Sequence, residues 1–361
     1  MEIHQVLVSA SPADAVTGAA LRLRALLRQV GPSEIYALHV HRDMTSEVRR
    51  LFHYPSRSEQ PDRAPNMLVF HASIGEPQVL AFLLGQQDRL VVMYHNITPA
   101  SYFRELAPTF ADLLEAGRSE LRYLSDKVDL ALAVSSYNAA ELVDMGFPDV
   151  RVAPLLVDVE GPGGVAVDEG MGPALDRLLG TGPTLLYVGQ LLPHKRPDLL
   201  LQAFHVLSTS LVPDARLILT GIGRIPSYRK ALEGLIHELG LHRATLTGHV
   251  TAEELAACWQ AADVFVTASE HEGFCMPLAE AMAHQVPILA RRCAAIPETV
   301  GDAGLLVDAD AGPELLAEAM AELLGNGALR SELNRRAALR VLDFHPDRAA
   351  ETFLRHLLSV V

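Results

Sequence analysis

The segment Glu272-Gly273-Phe274-Cys275-Met276-Pro277-Leu278-Ala279-Glu280 follows the apolar run 262–269 and decides how this part of the chain folds. The run is rich in β-branched residues, which predicts a buried strand. Pro277 suits the first position of a helix, because its missing N–H leaves no hydrogen bond unmade there. We therefore expect a strand, a short bend and a helix that begins at Pro277.

The bend between this strand and helix is a candidate anion site. The amides of Phe274, Cys275 and Met276 would lie at the carboxyl end of the strand and at the positive end of the helix, where phosphate binds. Glu272 and Glu280 repel phosphate, but each could accept hydrogen bonds from sugar hydroxyls. A diphosphate with a sugar on each side is a nucleotide-sugar. The alternative is an ordinary strand-to-helix turn with two solvated glutamates, and this segment alone leaves both open.

The composition describes a globular chain and excludes some partners. The 361 residues suffice for two domains, and 49% hydrophobic with 20% charged residues argues against disorder. A net charge of −14 argues against nucleic acid as a partner. The arginines at 22, 24 and 28 leave peripheral membrane contact open, but a solvated helix face is favoured.

The amino-terminal segment and the cysteines bear on location. Residues 1–9 enter a strand directly and lack the basic start and apolar stretch of a signal peptide. The three cysteines are too few and too scattered for a disulfide framework or a metal cluster. We expect a cytoplasmic protein with reduced thiols.

Strand-like and helix-like segments alternate along the chain, which predicts an α/β fold with parallel sheets. The expected organisation is a first domain over 1–157, a linker over 158–183, a second domain over 184–345 and a last helix over 346–360. Two such doubly wound domains would face each other across a cleft. Within the first domain, one long helical stretch is expected over 99–126.

Lys195 lies in a loop that follows the first strand of the second domain. It belongs to the stretch Gly189-Gln190-Leu191-Leu192-Pro193-His194-Lys195-Arg196, and it is one of only three lysines in the chain. Its ammonium could neutralise charge on a leaving diphosphate. The alternative is a surface cation at the start of a helix.

Two residues of the first domain are weaker candidates. His95 ends a predicted strand, where a histidine often serves only as a structural hydrogen-bonding group. Gly18 opens the first helix, where it could let a ligand approach the backbone or simply ease the turn.

Taken together, the chain resembles a family-four retaining glycosyltransferase of the GT-B fold. The paired glutamates Glu272 and Glu280 are the most specific element of this resemblance. It also rests on Gly189 with Lys195, on Gly248-His249-Val250, on Ile296-Pro297-Glu298 and on the segment 301–307. In the first half, His71-Ala72-Ser73-Ile74-Gly75 and Tyr94-His95-Asn96-Ile97-Thr98-Pro99 are similar to a bacterial subgroup.

The resemblance implies two Rossmann-like domains and a role for each matched residue. Glu280 would hold the ribose and Glu272 the transferred sugar, while Lys195 would hold the diphosphate. The backbone of Gly189 and of Gly273 to Met276 would also contact the phosphates, and His249 and Val250 would lie near the base. His95 would reach the transferred sugar from across the cleft. Gly18 would border the phosphate and the acceptor. The last helix, 346–360, would return to the first domain.

The chain departs from the family pattern at two positions. Gln190 stands where the family usually has arginine, so one phosphate-neutralising charge is missing. Cys275 stands where the motif usually has a second glycine. Arg196 or Arg224 could supply the lost cation.

These observations predict an enzyme that transfers a hexose from a nucleotide diphosphate-sugar to a hydroxyl of a glycan or small-molecule acceptor, with retention and without metal. Glu272, Lys195 and His95 would be the catalytic residues. A UDP-sugar is favoured over a GDP-sugar, although base, sugar and acceptor are not encoded legibly. The alternatives are a sugar-nucleotide epimerase, a glycoside phosphorylase, and a non-catalytic nucleotide-sugar binder; product analysis with and without acceptor or phosphate separates them.

Overall fold

The structure is a computed structural model that describes residues 2–12, 14–55, 65–157 and 181–360. The predicted linker lies outside the described residues as far as position 180. The chain forms two compact units, one of Met1–Leu156 with Pro346–Val361 and one of Val157–His345.

The first unit is built on a parallel sheet of seven strands in the order β3-β2-β1-β4-β5-β6-β7. Its strands are β1 (Ile3–Ala10), β2 (Ile35–Val40), β3 (Arg49–Arg50), β4 (Met67–Ala72), β5 (Arg89–Tyr94), β6 (Leu130–Ala133) and β7 (Val150–Val152). Its helices are α1 (Ala15–Leu27), α2 (Pro77–Gly85), α3 (Pro108–Leu124), α4 (Ser136–Asp144) and α12 (Pro346–Leu358). Phe353 and Leu357 of α12 are buried in this unit.

The second unit is built on a parallel sheet of six strands in the order β10-β9-β8-β11-β12-β13. Its strands are β8 (Thr184–Val188), β9 (Arg216–Thr220), β10 (Ala244–Gly248), β11 (Val264–Thr267), β12 (Ile288–Arg291) and β13 (Gly304–Val307). Its helices are α5 (Pro197–Val206), α6 (Pro226–Glu238), α7 (Ala252–Ala261), α8 (Met276–Ala283), α9 (Ile296–Val300), α10 (Pro313–Gly325) and α11 (Gly327–Arg340).

The central strands of both sheets are buried on both faces. Every residue of β11 is buried, as the continuous apolar run predicted. The strand order reverses between β1 and β4 in the first sheet and between β8 and β11 in the second. Loops after such neighbouring strands diverge and leave a crevice, which is the usual ligand site of doubly wound sheets.

Two local expectations are wrong. The helix expected over 99–126 is instead a 3₁₀ turn, Ala100–Tyr102, followed by α3 from Pro108. Ala107 precedes that proline and has the non-helical angles φ −152° and ψ 69°, because a residue before proline is driven away from the helical region. The helix after the paired-glutamate bend begins at Met276, so Pro277 occupies its second position.

Across the parts of the chain that the structure describes, no helix is both long enough and apolar enough to cross a membrane.

Candidate functional site

The loop after β8 is held in shape by a glycine with a left-handed backbone. Gly189 has a φ of +153°, and a Cβ there would lie 3.0 Å from the Tyr187 hydroxyl oxygen. That hydroxyl donates to the carbonyl oxygen of Gln190 at 3.0 Å. The loop continues through a 3₁₀ turn, Pro193–Lys195, into α5. The strand therefore delivers Lys195 to the switch point of the second sheet.

The loop after β11 presents backbone amides at the start of α8. Cys275 caps that helix with a φ of 66° and a ψ of 73°, which is the left-handed region. Among the described residues, the amides of Gly273, Phe274 and Cys275 donate to no backbone carbonyl. The Phe274 carbonyl accepts from the Thr299 hydroxyl at 2.7 Å, which fixes the bend. Open amides at a positive helix end suit an anion, as the sequence predicted.

Lys195 and Glu272 form an ion pair between these two loops. The Lys195 Nζ lies 2.6 Å from Glu272 Oε1, and the Ser269 hydroxyl donates to the same oxygen at 2.9 Å. The two side chains are only 19% and 11% exposed. Burial lowers the pKa of Lys195, but attraction to Glu272 and Cys275 outweighs it and raises the pKa above its ordinary value. Lys195 is therefore a charged ammonium at the switch point.

Arg196 connects the same two loops but points its charge at carboxylates. Its guanidinium pairs with Asp198 at 3.0 Å and with Glu270 at 2.5 Å, and Arg291 also reaches Glu270 at 3.3 Å. Arg224 is exposed, and its side chain has no ion pair or hydrogen bond with any described residue. The donor-binding roles of both arginines stay predictions, and Arg224 is the one whose charge is available.

The other donor-side candidates lie at the same edge of the second sheet or on α8. Glu280 is a half-buried residue of α8. Its charge, after burial and Glu272, helps to raise the pKa of the Cys275 thiol, so its carboxylate lies near that thiol. His249 is exposed and Val250 half-buried, directly after β10. Gln190 is half-buried, and its side chain has no hydrogen-bonding partner in the described part of the chain.

In the first unit, His95 belongs to a hydrogen-bonded chain of three side chains. His95 Nε2 lies 2.8 Å from His71 Nδ1, and His71 Nε2 lies 2.8 Å from Gln5 Oε1. Burial lowers the pKa of His95 to about 4, and burial followed by His95 lowers the pKa of His71 well below its ordinary value. Both rings are therefore neutral near pH 7. Sequence reasoning missed Gln5, although a polar residue within the apolar strand 3–10 is a signal for it.

Gly18 is not at a turn. It lies inside α1 without a left-handed backbone, and a Cβ there would meet only the Arg22 guanidinium, with Nη1 at 3.6 Å and Nη2 at 3.8 Å, which are ordinary contacts. Its neighbour Ala19 lines a small pocket, together with Leu23, Met93, Phe353 and the two histidines. The idea that Gly18 eases a turn is thus wrong, and its role beside a ligand stays a prediction.

Comparison with known proteins identifies the family. Residues 177–340 match the family described as "Glycosyl transferases group 1". A relative from Mycobacterium tuberculosis, named GDP-mannose-dependent alpha-(1-6)-phosphatidylinositol monomannoside mannosyltransferase, is 31% identical over 273 residues. The alignment covers 70% of this chain and 68% of the relative. The chain belongs to the group 1 glycosyltransferases.

A second relative is similar in sequence, and a solved structure is similar in fold. The D-inositol 3-phosphate glycosyltransferase of Corynebacterium diphtheriae is 32% identical over 173 residues, 46% of this chain and 40% of that protein. The crystal structure of Anabaena HepE in complex with UDP has a TM-score of 0.77, covering 99% of this chain and 100% of that chain at 16% identity. Since that identity is low, the likeness concerns the fold. The predicted α/β fold class of GT-B type is confirmed.

Proposed function

We propose that this group 1 glycosyltransferase transfers a hexose from a nucleoside diphosphate-sugar to an acceptor hydroxyl, with retention at the anomeric carbon. One observation carries the proposal. The largely buried ammonium of Lys195, the carboxylate of Glu272 and the open amides of residues 273–275 meet at the switch point between β8 and β11. A cation and amides suit a diphosphate, and a carboxylate beside them suits sugar hydroxyls.

The reaction needs one bond broken, one formed and one proton moved. The bond between the anomeric carbon and the diphosphate oxygen breaks, and the acceptor oxygen bonds to the same carbon from the same face. The acceptor's proton passes to the departing diphosphate oxygen, so no protein base is required. Lys195 and the amides stabilise the negative charge that develops on the diphosphate. Because an ammonium and a helix terminus supply this stabilisation, we propose that no metal ion is needed.

The remaining roles follow the donor outward from its phosphates. Glu280 holds the ribose, His249 and Val250 lie against the base, and His95 binds a hydroxyl of the transferred sugar. The backbone at Gly18 borders the phosphate and the acceptor. Arg224 also contacts the donor, while the charge that an arginine would supply at position 190 stays missing beside the diphosphate.

The donor base is proposed from the relatives. The expected preference for UDP over GDP lacks support, because the relative with 31% identity is named GDP-mannose-dependent, whereas the UDP-bound neighbour has 16% identity. We therefore propose GDP-mannose as the first donor to test and UDP-glucose as the second. The names of the two relatives favour an inositol or a glycoside of inositol as acceptor. The cytoplasm remains the proposed location.

The proposal is tested by turnover with these donors and with inositol-type acceptors. We expect a glycoside whose anomeric configuration, measured by NMR, matches that of the donor, and an unchanged rate in a chelator. Lys195→Met should lose most activity, whereas the matched control Lys230→Met, at an exposed position, should keep it.

Other outcomes would contradict the proposal in distinct ways. An inverted product would refute retention, and a rate lost in chelator and restored by Mg²⁺ would refute metal independence. Epimerised donor without acceptor, or sugar phosphate formed from a glycoside and phosphate, would identify another enzyme class. Donor binding without turnover on any acceptor would identify a non-catalytic binder.

A further inference from the structure

Gln5 and His71 lie on one face of the neighbouring strands β1 and β4, and His95 follows directly after the next strand, β5. In the sheet register Gln5 is opposite Val69 of β4, and His71 is two residues further along that strand. His71 is in turn opposite Met93 of β5, and His95 is again two residues further. Because side chains alternate with a period of two, each residue is on the same face as the previous one. Parallel pairing thus brings three distant polar residues into one line.

The direction of the hydrogen bonds between these three side chains is fixed at Gln5. Gln5 is fully buried, and its Nε2 donates to the carbonyl oxygen of Ala20 at 3.1 Å. A carbonyl oxygen accepts only, so the amide of Gln5 cannot be turned round. Gln5 Oε1 therefore faces His71 Nε2 as an acceptor, and that nitrogen must carry the hydrogen.

The orientation then passes from one ring to the next. A neutral imidazole has one N–H and one bare nitrogen, so His71 Nδ1 is bare. His95 Nε2, at 2.8 Å, must donate to it. The two ring planes differ by 14°, which suits a hydrogen bond in the plane of the rings. His95 Nδ1 is then the bare nitrogen, and among the described residues it has no hydrogen-bonding partner.

The surroundings of His95 suit a neutral ring with a free lone pair. Burial holds the pKa of His95 at about 4, so the ring stays uncharged near pH 7. The ring lines the pocket described above, whose other walls include Leu23, Met93 and Phe353. A bare nitrogen in such a pocket attracts an O–H donor and repels an oxyanion.

We propose that Gln5 and His71 are positioning residues that fix His95 with a bare Nδ1, so that the group bound there is a hydroxyl and never a carboxylate or phosphate. The inference rests on the proposed function, in which His95 binds the transferred sugar, and deepens it. It assigns this glycosyltransferase to neutral sugars with a free hydroxyl at that point, and excludes a sugar that carries a carboxylate there.

The first test reads the ring hydrogens directly and needs no turnover. Two-bond nitrogen–proton correlation spectra of the ¹⁵N-histidine-labelled protein near pH 7 distinguish a ring nitrogen that carries hydrogen from a bare one. We expect both His71 and His95 to carry hydrogen on Nε2 only. A His95 that carries it on Nδ1, or on both nitrogens, would overturn the inference even if the enzyme were active. This test stands if the proposed reaction fails.

The second test removes the hydrogen bonds of the Gln5 amide. Gln5→Leu keeps the side-chain size but leaves His71 Nε2 without its acceptor, so His95 should populate both tautomers. One neutral hydrogen bond to substrate is then partly lost, and kcat/KM should fall about three- to tenfold. The control Gln87→Leu, at an exposed position, should change neither spectrum nor rate. An unchanged spectrum in Gln5→Leu would refute the positioning role.

The third test identifies the hydroxyl. In His95→Phe the KM of the donor should rise. A rise in the KM of the acceptor alone would overturn the assignment of this hydroxyl to the transferred sugar. The corresponding uronate donor should be turned over at least tenfold more slowly than the neutral sugar. Equal rates with both donors would show that no lone pair faces that position.

Discussion

Replacing Glu272 with glutamine should change diphosphate affinity and turnover in opposite directions. Lys195 Nζ lies 2.6 Å from Glu272 Oε1. An incoming diphosphate therefore competes with Glu272 for that ammonium. Glutamine has nearly the same shape and still offers an oxygen to Ser269 and to a sugar hydroxyl. The Glu272→Gln protein should therefore bind a nucleoside diphosphate without sugar more tightly, and yet turn over its sugar donor more slowly.

The magnitudes follow from the kind of hydrogen bond at stake. A charge-assisted hydrogen bond contributes about 1.5–3 kcal/mol and a neutral one about 0.5–1.5 kcal/mol. The difference of about 1 kcal/mol predicts roughly a fivefold gain in diphosphate affinity, and a loss of similar size or larger in turnover. Lys195→Met removes the charge-assisted contact to phosphate altogether and should weaken diphosphate binding by roughly 10- to 150-fold.

Calorimetric titration of both nucleoside diphosphates into the wild type, the two single variants and the double variant measures the coupling between the residues. Lys230→Met is the matched control. If Glu272→Gln weakened diphosphate binding as much as Lys195→Met does, the two residues would form one phosphate site, and the assignment of Glu272 to the sugar would be wrong.

Four further predictions concern single positions. Gln190→Arg should restore a cation beside the diphosphate and raise donor affinity and turnover about tenfold; a loss in both would show that Arg224 already takes that position. Glu280→Ala should weaken binding of the free nucleoside diphosphate, whereas an effect on turnover alone would contradict its assignment to the ribose. Because Cys275 has a φ of 66°, Cys275→Gly should be more stable than Cys275→Ala by about 1 kcal/mol in denaturant unfolding, the reverse of the usual order. Finally, His95 has its pKa lowered from 6.5 to about 4, so the unfolded chain binds a proton that the folded chain does not; the free energy of unfolding should fall as the pH falls from about 6.5 to about 4, and His95→Asn should make that dependence shallower.

The amino-acid sequence determined the fold class and the position of the candidate site in the second unit. Alternating apolar strands and amphipathic helices predict parallel α/β units, because crossover helices bury both faces of each strand. The bend at 270–276 was predictable from its flanking strand and from Pro277. Lys195 stood out because lysine is rare in this chain. Even the break before Pro108 follows from local sterics, because a residue before proline is driven away from the helical region.

The tertiary structure alone decided how distant residues meet. Lys195 and Glu272 are 77 positions apart, and their pairing depends on β8 lying beside β11. Gln5 and His71 are 66 positions apart and meet through the register of β1 and β4. Local patterns fix which residues form a strand and which face each side chain takes. They do not fix which strands become neighbours or in what register, because those choices depend on the packing of the whole sheet. The partner of Lys195 and the hydrogen bonds that orient His95 therefore appear only in the tertiary structure.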